Sequence, residues 1–135
     1  MEKLLVDTNI VIDLLSGRAD FFQEAQELFT LADKEEVLLY VSALTFANTH
    51  YLLSKYQKTN EARKTLIKFK VLVKVAPLDD KIVELALASD FRDFEAAMQY
   101  YTALENDIDI IITRNIKDFK SASIPVMTAR EYLNK

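Results

Sequence analysis

Two apolar runs, far apart in the chain, break off in the same way, and this constrains the fold more than any other feature. Leu4-Leu5-Val6 ends in Asp7-Thr8-Asn9, and Ile110-Ile111-Ile112 ends in Thr113-Arg114-Asn115 with Asp118 close behind. Each reads as a hydrophobic strand with polar residues at its carboxyl end. In an open parallel sheet, functional residues gather at the carboxyl ends of the strands, where the loops open. Two acidic strand ends remote in sequence can therefore meet in one cleft. Clustered carboxylates repel one another, and a cleft of that kind usually holds a divalent cation.

The rest of the chain supplies the crossovers such a sheet needs. Residues 3–7 predict the first strand, and Ile10 to Leu15 a short helix capped by Thr8 or Asn9 and broken at Ser16-Gly17. Phe21, Phe22, Ala25, Leu28, Phe29 and Ala32 fall at helical spacing between Asp20 and Asp33. Val37–Val41 is a strand, and Ser42 caps a helix running to about Tyr56. A basic helix from Thr59 to about Phe69, a strand Val71–Val75 and a helix Asp79–Ala88 follow. The next helix runs from about Asp93 to Glu105, with Phe94, Ala97, Met98, Tyr101 and Leu104 as its buried stripe. Asp109–Thr113 and Pro125–Met127 are strands, and Ala129–Leu133 is a terminal helix. Helices between most strands make the architecture α/β, with a mainly parallel sheet covered on both faces. At 135 residues without a linker or repeat, the chain reads as a single domain, 1–135.

Composition removes several functional classes. There is no cysteine, hence no disulfide framework, thiolate nucleophile or cysteine zinc site. Gly17 is the only glycine, which excludes glycine-rich phosphate loops. No apolar run approaches the ~20 residues that span a bilayer. Met1-Glu2-Lys3 leads straight into a strand and lacks the plan of a signal peptide, so the expected location is the cytoplasm. The net charge of −4 hides a segregation: seven bases and one acid between Lys55 and Lys74, then nine acids and two bases between Asp79 and Asp109. A basic stretch beside an acidic cleft suits a metal enzyme acting on a polyanion; a solvated helix face with no ligand explains the same run.

Four segments taken in order resemble the PIN-domain family: Val6-Asp7-Thr8-Asn9, the Ser42-Ala43-Leu44-Thr45 helix entry, the Asp93-Phe94-Glu95 helix start, and Thr113-Arg114-Asn115 followed by Asp118-Phe119. The resemblance covers essentially the whole chain. It implies a PIN-like three-layer α/β/α sandwich and a metal-dependent endoribonuclease, many members being VapC-like toxins of toxin–antitoxin pairs. In such enzymes acidic side chains hold Mg²⁺ or Mn²⁺, which activates water and neutralises charge at the scissile phosphate. By resemblance Asp7, Asp93 and Asp118 are the catalytic acids, and Asp7, Asp118 and Asn115 are the metal ligands. Thr8, Asn9, Ser42, Asn48, Ala96 and Thr113 line the cleft. Lys58, Arg63, Lys64, Arg114 and Lys117 hold RNA. The resemblance also implies an antitoxin partner and a homodimer.

Two positions depart from the family pattern. Asn48 stands where many members carry a glutamate. Ala96 stands seven residues before the small residue Ala103, at the place of the central-helix aspartate. Relatives that otherwise look like this chain read Asp-Phe-Glu-Asp, where this one reads Asp93-Phe94-Glu95-Ala96. An alanine cannot bind metal. Three accounts stand open: an engineered silencing of a toxic nuclease, a natural member that has lost activity, or transfer of the role to Asp93, one turn earlier on roughly the same face. Glu95 has the reach to swing inward. The expectation is thus a PIN ribonuclease weakened or silenced by Ala96, with a nuclease-dead module that binds RNA or protein as the alternative. His50, the only histidine, reads as a packing or interface residue. Tyr101 reads as core, and Tyr100 as flanking the cleft. A phosphotransfer domain also uses a strand-end aspartate with Mg²⁺. A phosphatase of that kind needs an aspartate where Asn9 stands, and a receiver needs one after the third strand, where Val75-Ala76-Pro77-Leu78 offers none.

Overall fold

The computed structural model describes residues 1–17 and 20–135. The described strands are β1 (Lys3–Val6), β2 (Leu38–Ser42), β3 (Lys74–Ala76), β4 (Ile110–Ile112) and β5 (Val126–Met127). They form one sheet in the order β3-β2-β1-β4-β5, with every pair parallel. The described helices are α1 (Thr8–Ser16), α2 (Phe22–Asp33), α3 (Ala43–Leu53), α4 (Thr59–Lys70), α5 (Asp80–Leu87), α6 (Phe94–Glu105) and α7 (Ala129–Leu133).

Strand alternation builds the three layers. Leu4 and Val6 of β1, with Ile110 and Ile112 of β4, face a core closed by α1, α2, α3, α4 and α7. Leu5 and Ile111 face the other way, onto Ala96, Tyr100 and Ala103 of α6, and α5 packs against α6. Burying one such Leu or Ile is worth about 1.5–3 kcal/mol, so the double-sided apolar strands fix the sheet's place between the layers. Gly17 closes α1 in the left-handed region at φ 66°, where a side chain would be strained.

The order also fixes where a site can form. From β1 the chain winds outward through β2 and β3, then returns to the other side of β1 for β4 and β5. The switch point lies between β1 and β4, and ligand crevices of open α/β sheets form beyond the strand ends at such a point. Val6 pairs with Ile112 in register, so Asp7 and Thr113 emerge side by side. A receiver domain has the order 2-1-3-4-5 instead, so the receiver form of the phosphotransfer reading loses its topology as well as its acceptor.

Several boundaries differ from expectation. Asp7, not Thr8 or Asn9, caps α1. The second helix starts at Phe22, not Asp20. The third stops at Leu53, and Tyr56 beyond it is 85% exposed. β3 begins at Lys74, because this edge strand pairs only with Tyr40–Ser42 of β2. A 3₁₀ turn, Ile116–Phe119, follows β4. On α6 the buried residues are Ala96, Ala97, Gln99, Tyr100, Thr102 and Ala103, while Phe94 is exposed. The stripe is rotated from the purely apolar one and carries polar side chains inward. No helix among the described residues is long and apolar enough to cross a membrane.

Candidate active site

Asp7 leaves β1 in an extended conformation, φ −71° and ψ 158°, and turns directly into α1. Its Oδ1 accepts the Thr8 N–H at 2.8 Å, and its Oδ2 accepts the Thr113 hydroxyl at 2.8 Å. Gln99 Nε2 donates to Oδ1 at 3.4 Å. Thr113 is held in turn by its own N–H, which donates to Met127 O of β5 at 3.0 Å. Burial pushes the Asp7 carboxyl above its ordinary range. The bonds from Thr113, Thr8 and Gln99 oppose that rise, and the charge on Asp93 adds to it.

Behind Asp7 lies a buried polar network. Gln99, 1% exposed, donates from Nε2 to Thr45 Oγ1 at 3.0 Å. Thr45 Oγ1 shares a hydrogen with Thr8 Oγ1 at 3.1 Å, and the Thr45 N–H donates to Ser42 Oγ at 3.2 Å. The network ties the ends of β1 and β2 to the middle of α6. Ser42 is wholly buried within it, as the cap of α3, and does not face the pocket.

The pocket in front of Asp7 has a volume of about 240 Å³. Asp7, Asp93, Glu95 and Asp118 stand around it, with Thr8, Asn9 and Asn115 between them and Ala96 on the wall. Asp93 caps α6, its Oδ1 accepting the Ala96 N–H at 2.8 Å. Glu95 Oε1 accepts from Asn48 Nδ2 at 3.1 Å, and burial together with the charges on Asp7 and Asp93 pushes its carboxyl upward. Asn48 itself lines an adjoining cleft with Tyr51 and Glu95.

The opposite wall is held in place by α1. Asn9 and Asp13 lie one turn apart on the same helix face. Asn9 Oδ1 accepts the Arg114 N–H at 3.5 Å. Asp13, 1% exposed, takes the Arg114 guanidinium at 2.8 and 3.1 Å, and that guanidinium also lies 4.1 Å over the Phe21 ring. Arg114 thus locks the segment carrying Asn115 and Asp118 to the helix that starts at Asp7.

Asp7, Thr8, Asn9, Asp93, Ala96, Asn115 and Asp118 therefore meet at one pocket, with Thr113 directly behind. Lys117 adjoins it through a neighbouring cavity that shares Asp118. Lys58, Arg63 and Lys64 do not line it: Lys58 precedes α4, and the other two lie on its exposed side. Tyr100 does not flank the cleft. It is buried, its hydroxyl 2.7 Å from Ser123 Oγ, whereas Tyr101 is half-buried. His50 is half-buried. Sequence reading missed Gln99, Thr45 and Asp13. Gln99 had a usable signal: it stands three residues after Ala96, hence on the same helix face.

Among the described residues, no three acidic or histidine side chains converge tightly enough to enclose a metal ion. The carboxylates surround an open pocket instead. A hard cation that keeps most of its water needs only one or two carboxylates. The all-oxygen donor set, with two carboxyls disfavoured as anions by burial and by their neighbours, fits that mode of binding.

A sequence profile of the PIN domain matches residues 3–117, and the chain belongs to the PIN-domain family. No curated protein matches it by sequence. Among solved structures it is similar to a chain of a toxin–antitoxin complex from Klebsiella pneumoniae, at 28% identity and TM-score 0.69, over 93% of this chain and 97% of that one. It is similar in fold to DNA-bound VapBC from Salmonella typhimurium, at 16% identity and TM-score 0.72, over 96% and 99% of the two chains. The sarcin–ricin-loop-cleaving VapC toxin of Mycobacterium tuberculosis aligns at 18% identity and TM-score 0.63, over 80% and 86%.

Proposed function

We propose that this chain is a PIN-type endoribonuclease, the toxin half of a toxin–antitoxin pair, working with Mg²⁺ or Mn²⁺ and weakened or silenced by Ala96. The observation that carries this reading is the meeting of Asp7 and Asp118, from opposite ends of a PIN-family chain, in one acidic pocket at the switch point. Asp7, Asp118 and the amide oxygen of Asn115 would hold the ion. When bound, it supplies a water of lowered pKa and neutralises charge on the scissile phosphate. The chain's own contribution is orientation: Thr113, Gln99 and the Thr8 N–H fix Asp7, and the Arg114–Asp13 pair fixes the facing segment. The toxin–antitoxin complexes among its structural relatives support an antitoxin partner. So does an apolar cleft of about 530 Å³ beside the pocket, walled by Ile12, Leu15, Leu52, Leu53 and Tyr56. A homodimer completes the proposal.

Ala96 itself favours a second reading, a nuclease-dead module that binds RNA or protein. It lines the pocket and offers no ligand. Cleavage of RNA by this chain and by Ala96→Asp, with several divalent ions and with chelator, separates the two. The expected result is metal-dependent cleavage by the Asp variant, on the order of a hundredfold above the parent, the scale of one lost electrostatic contact in an active site. A silent Asp variant under every ion overturns the enzyme reading and leaves the binding module.

A further inference from the structure

We infer that the RNA backbone runs onto a basic shelf made by Arg92, Lys117 and Lys120, and not along α4. This rests on the ribonuclease reading for the identity of the polyanion. The three cations surround a cavity of about 400 Å³ with Ser121, and that cavity shares Asp118 with the acidic pocket. A strand lying on the shelf leads directly to the proposed reaction centre. Asp90 also lines the cavity. With Asp118 it offsets part of the positive charge, yet none of the three cations makes an ion pair among the described residues. All three side chains are exposed and free to meet phosphate.

The shelf is supported from beneath. Phe91, next to Arg92, meets the Phe119 ring edge-on at 6.4 Å between centroids and the Tyr100 ring at 5.1 Å. Phe119 sits between Asp118 and Lys120 and is buried. The two segments that carry the cations are thus pinned to one another by their neighbours, so the backbone positions from which the three side chains extend are held together. By contrast, the richest basic run of the chain belongs to a helix that buries Ala62, Leu66 and Phe69 in the other layer, and its Arg63 and Lys64 line no wall of the pocket. Arg114 is committed to Asp13.

Binding of a labelled single-stranded RNA, followed by fluorescence anisotropy across a salt series in chelator, reads the shelf without turnover. The variants are Arg92→Gln/Lys117→Gln/Lys120→Gln and, for comparison, Arg63→Gln/Lys64→Gln, each checked for an unchanged circular dichroism spectrum. The shelf variant is expected to bind about tenfold more weakly at moderate salt, with the slope of log K against log salt reduced by about 2, while the α4 variant binds like the parent. Parent-like binding by the shelf variant, an equal loss in the α4 variant, or no salt-dependent binding by the parent each overturns the proposal. Because cleavage is not the readout, a silent Ala96→Asp chain with shelf-dependent binding defeats the nuclease reading alone.

Discussion

At Asp7 two demands meet on one side chain. It caps α1, and it presents a carboxylate to an acidic pocket. Three hydrogen bonds steady the anion, but burial outweighs them and raises its pKa above the ordinary 3.8. The fold therefore favours the protonated form. Asp7's contribution to stability is whole below pH 3.8 and is lost as pH rises through the folded pKa. Asp7→Asn keeps the shape and the cap while removing the charge. In metal-free protein it should raise Tm at pH 7 by a few degrees, and the advantage should vanish as the pH is taken below 3.8. Thermal melts of both proteins across that range check it. An Asn variant that melts lower at pH 7 would mean the three hydrogen bonds dominate. Stability given up at such a residue is the usual cost of a site that must hold a ligand.

Among the elements, α1 does more than cover the sheet. Through Asn9 and Asp13 it grips Arg114 and so aims the segment after β4 at the pocket. Arg114→Met removes a bidentate, charge-assisted pair and should cost about 2 kcal/mol in urea unfolding. Arg114→Lys keeps the charge but not the fork or the stacking over Phe21, and should fall between parent and Met variant. Equal stability of all three would show the clamp to be idle. The strands themselves were legible because β1 and β4 are short, apolar and end in polar clusters. The acids at their ends were legible for the same reason. The buried face of α6 was not, because apolar periodicity selects Met98 and Tyr101, whereas Gln99 turns inward to serve Asp7 and Thr45. Thr102 is buried as well, its hydroxyl satisfied by the Met98 carbonyl at 2.7 Å. A polar residue inside is explained only by partners remote in sequence. The basic run of α4 has the same limit: a charge count reveals the run, not the layer in which its helix packs, and its residues do not line the pocket.

On the scale of the whole molecule, the winding order converts two local signals into one site. Outward winding to β3 and return to β4 leaves the ends of β1 and β4 adjacent, so residues near opposite ends of the sequence share a pocket. If one cation is held by both ends, its binding must stabilise the fold as a unit. A ligand bound only by the native state adds RT ln(1 + [L]/Kd), about 2.7 kcal/mol at a concentration a hundred times Kd. Mn²⁺ should therefore raise Tm more in Ala96→Asp than in this chain, and chelator should reverse the rise. Asp118→Asn, placed in the Ala96→Asp background, should lose most of it, although position 118 is remote from both Asp7 and position 96 in sequence. Differential scanning fluorimetry across a Mn²⁺ titration measures all three proteins side by side. An undiminished rise in the Asp118→Asn variant would mean that the ion is held at the β1 and α6 side alone. The pocket would then still join the two strand ends in space, but the β4 end would take no part in holding the metal.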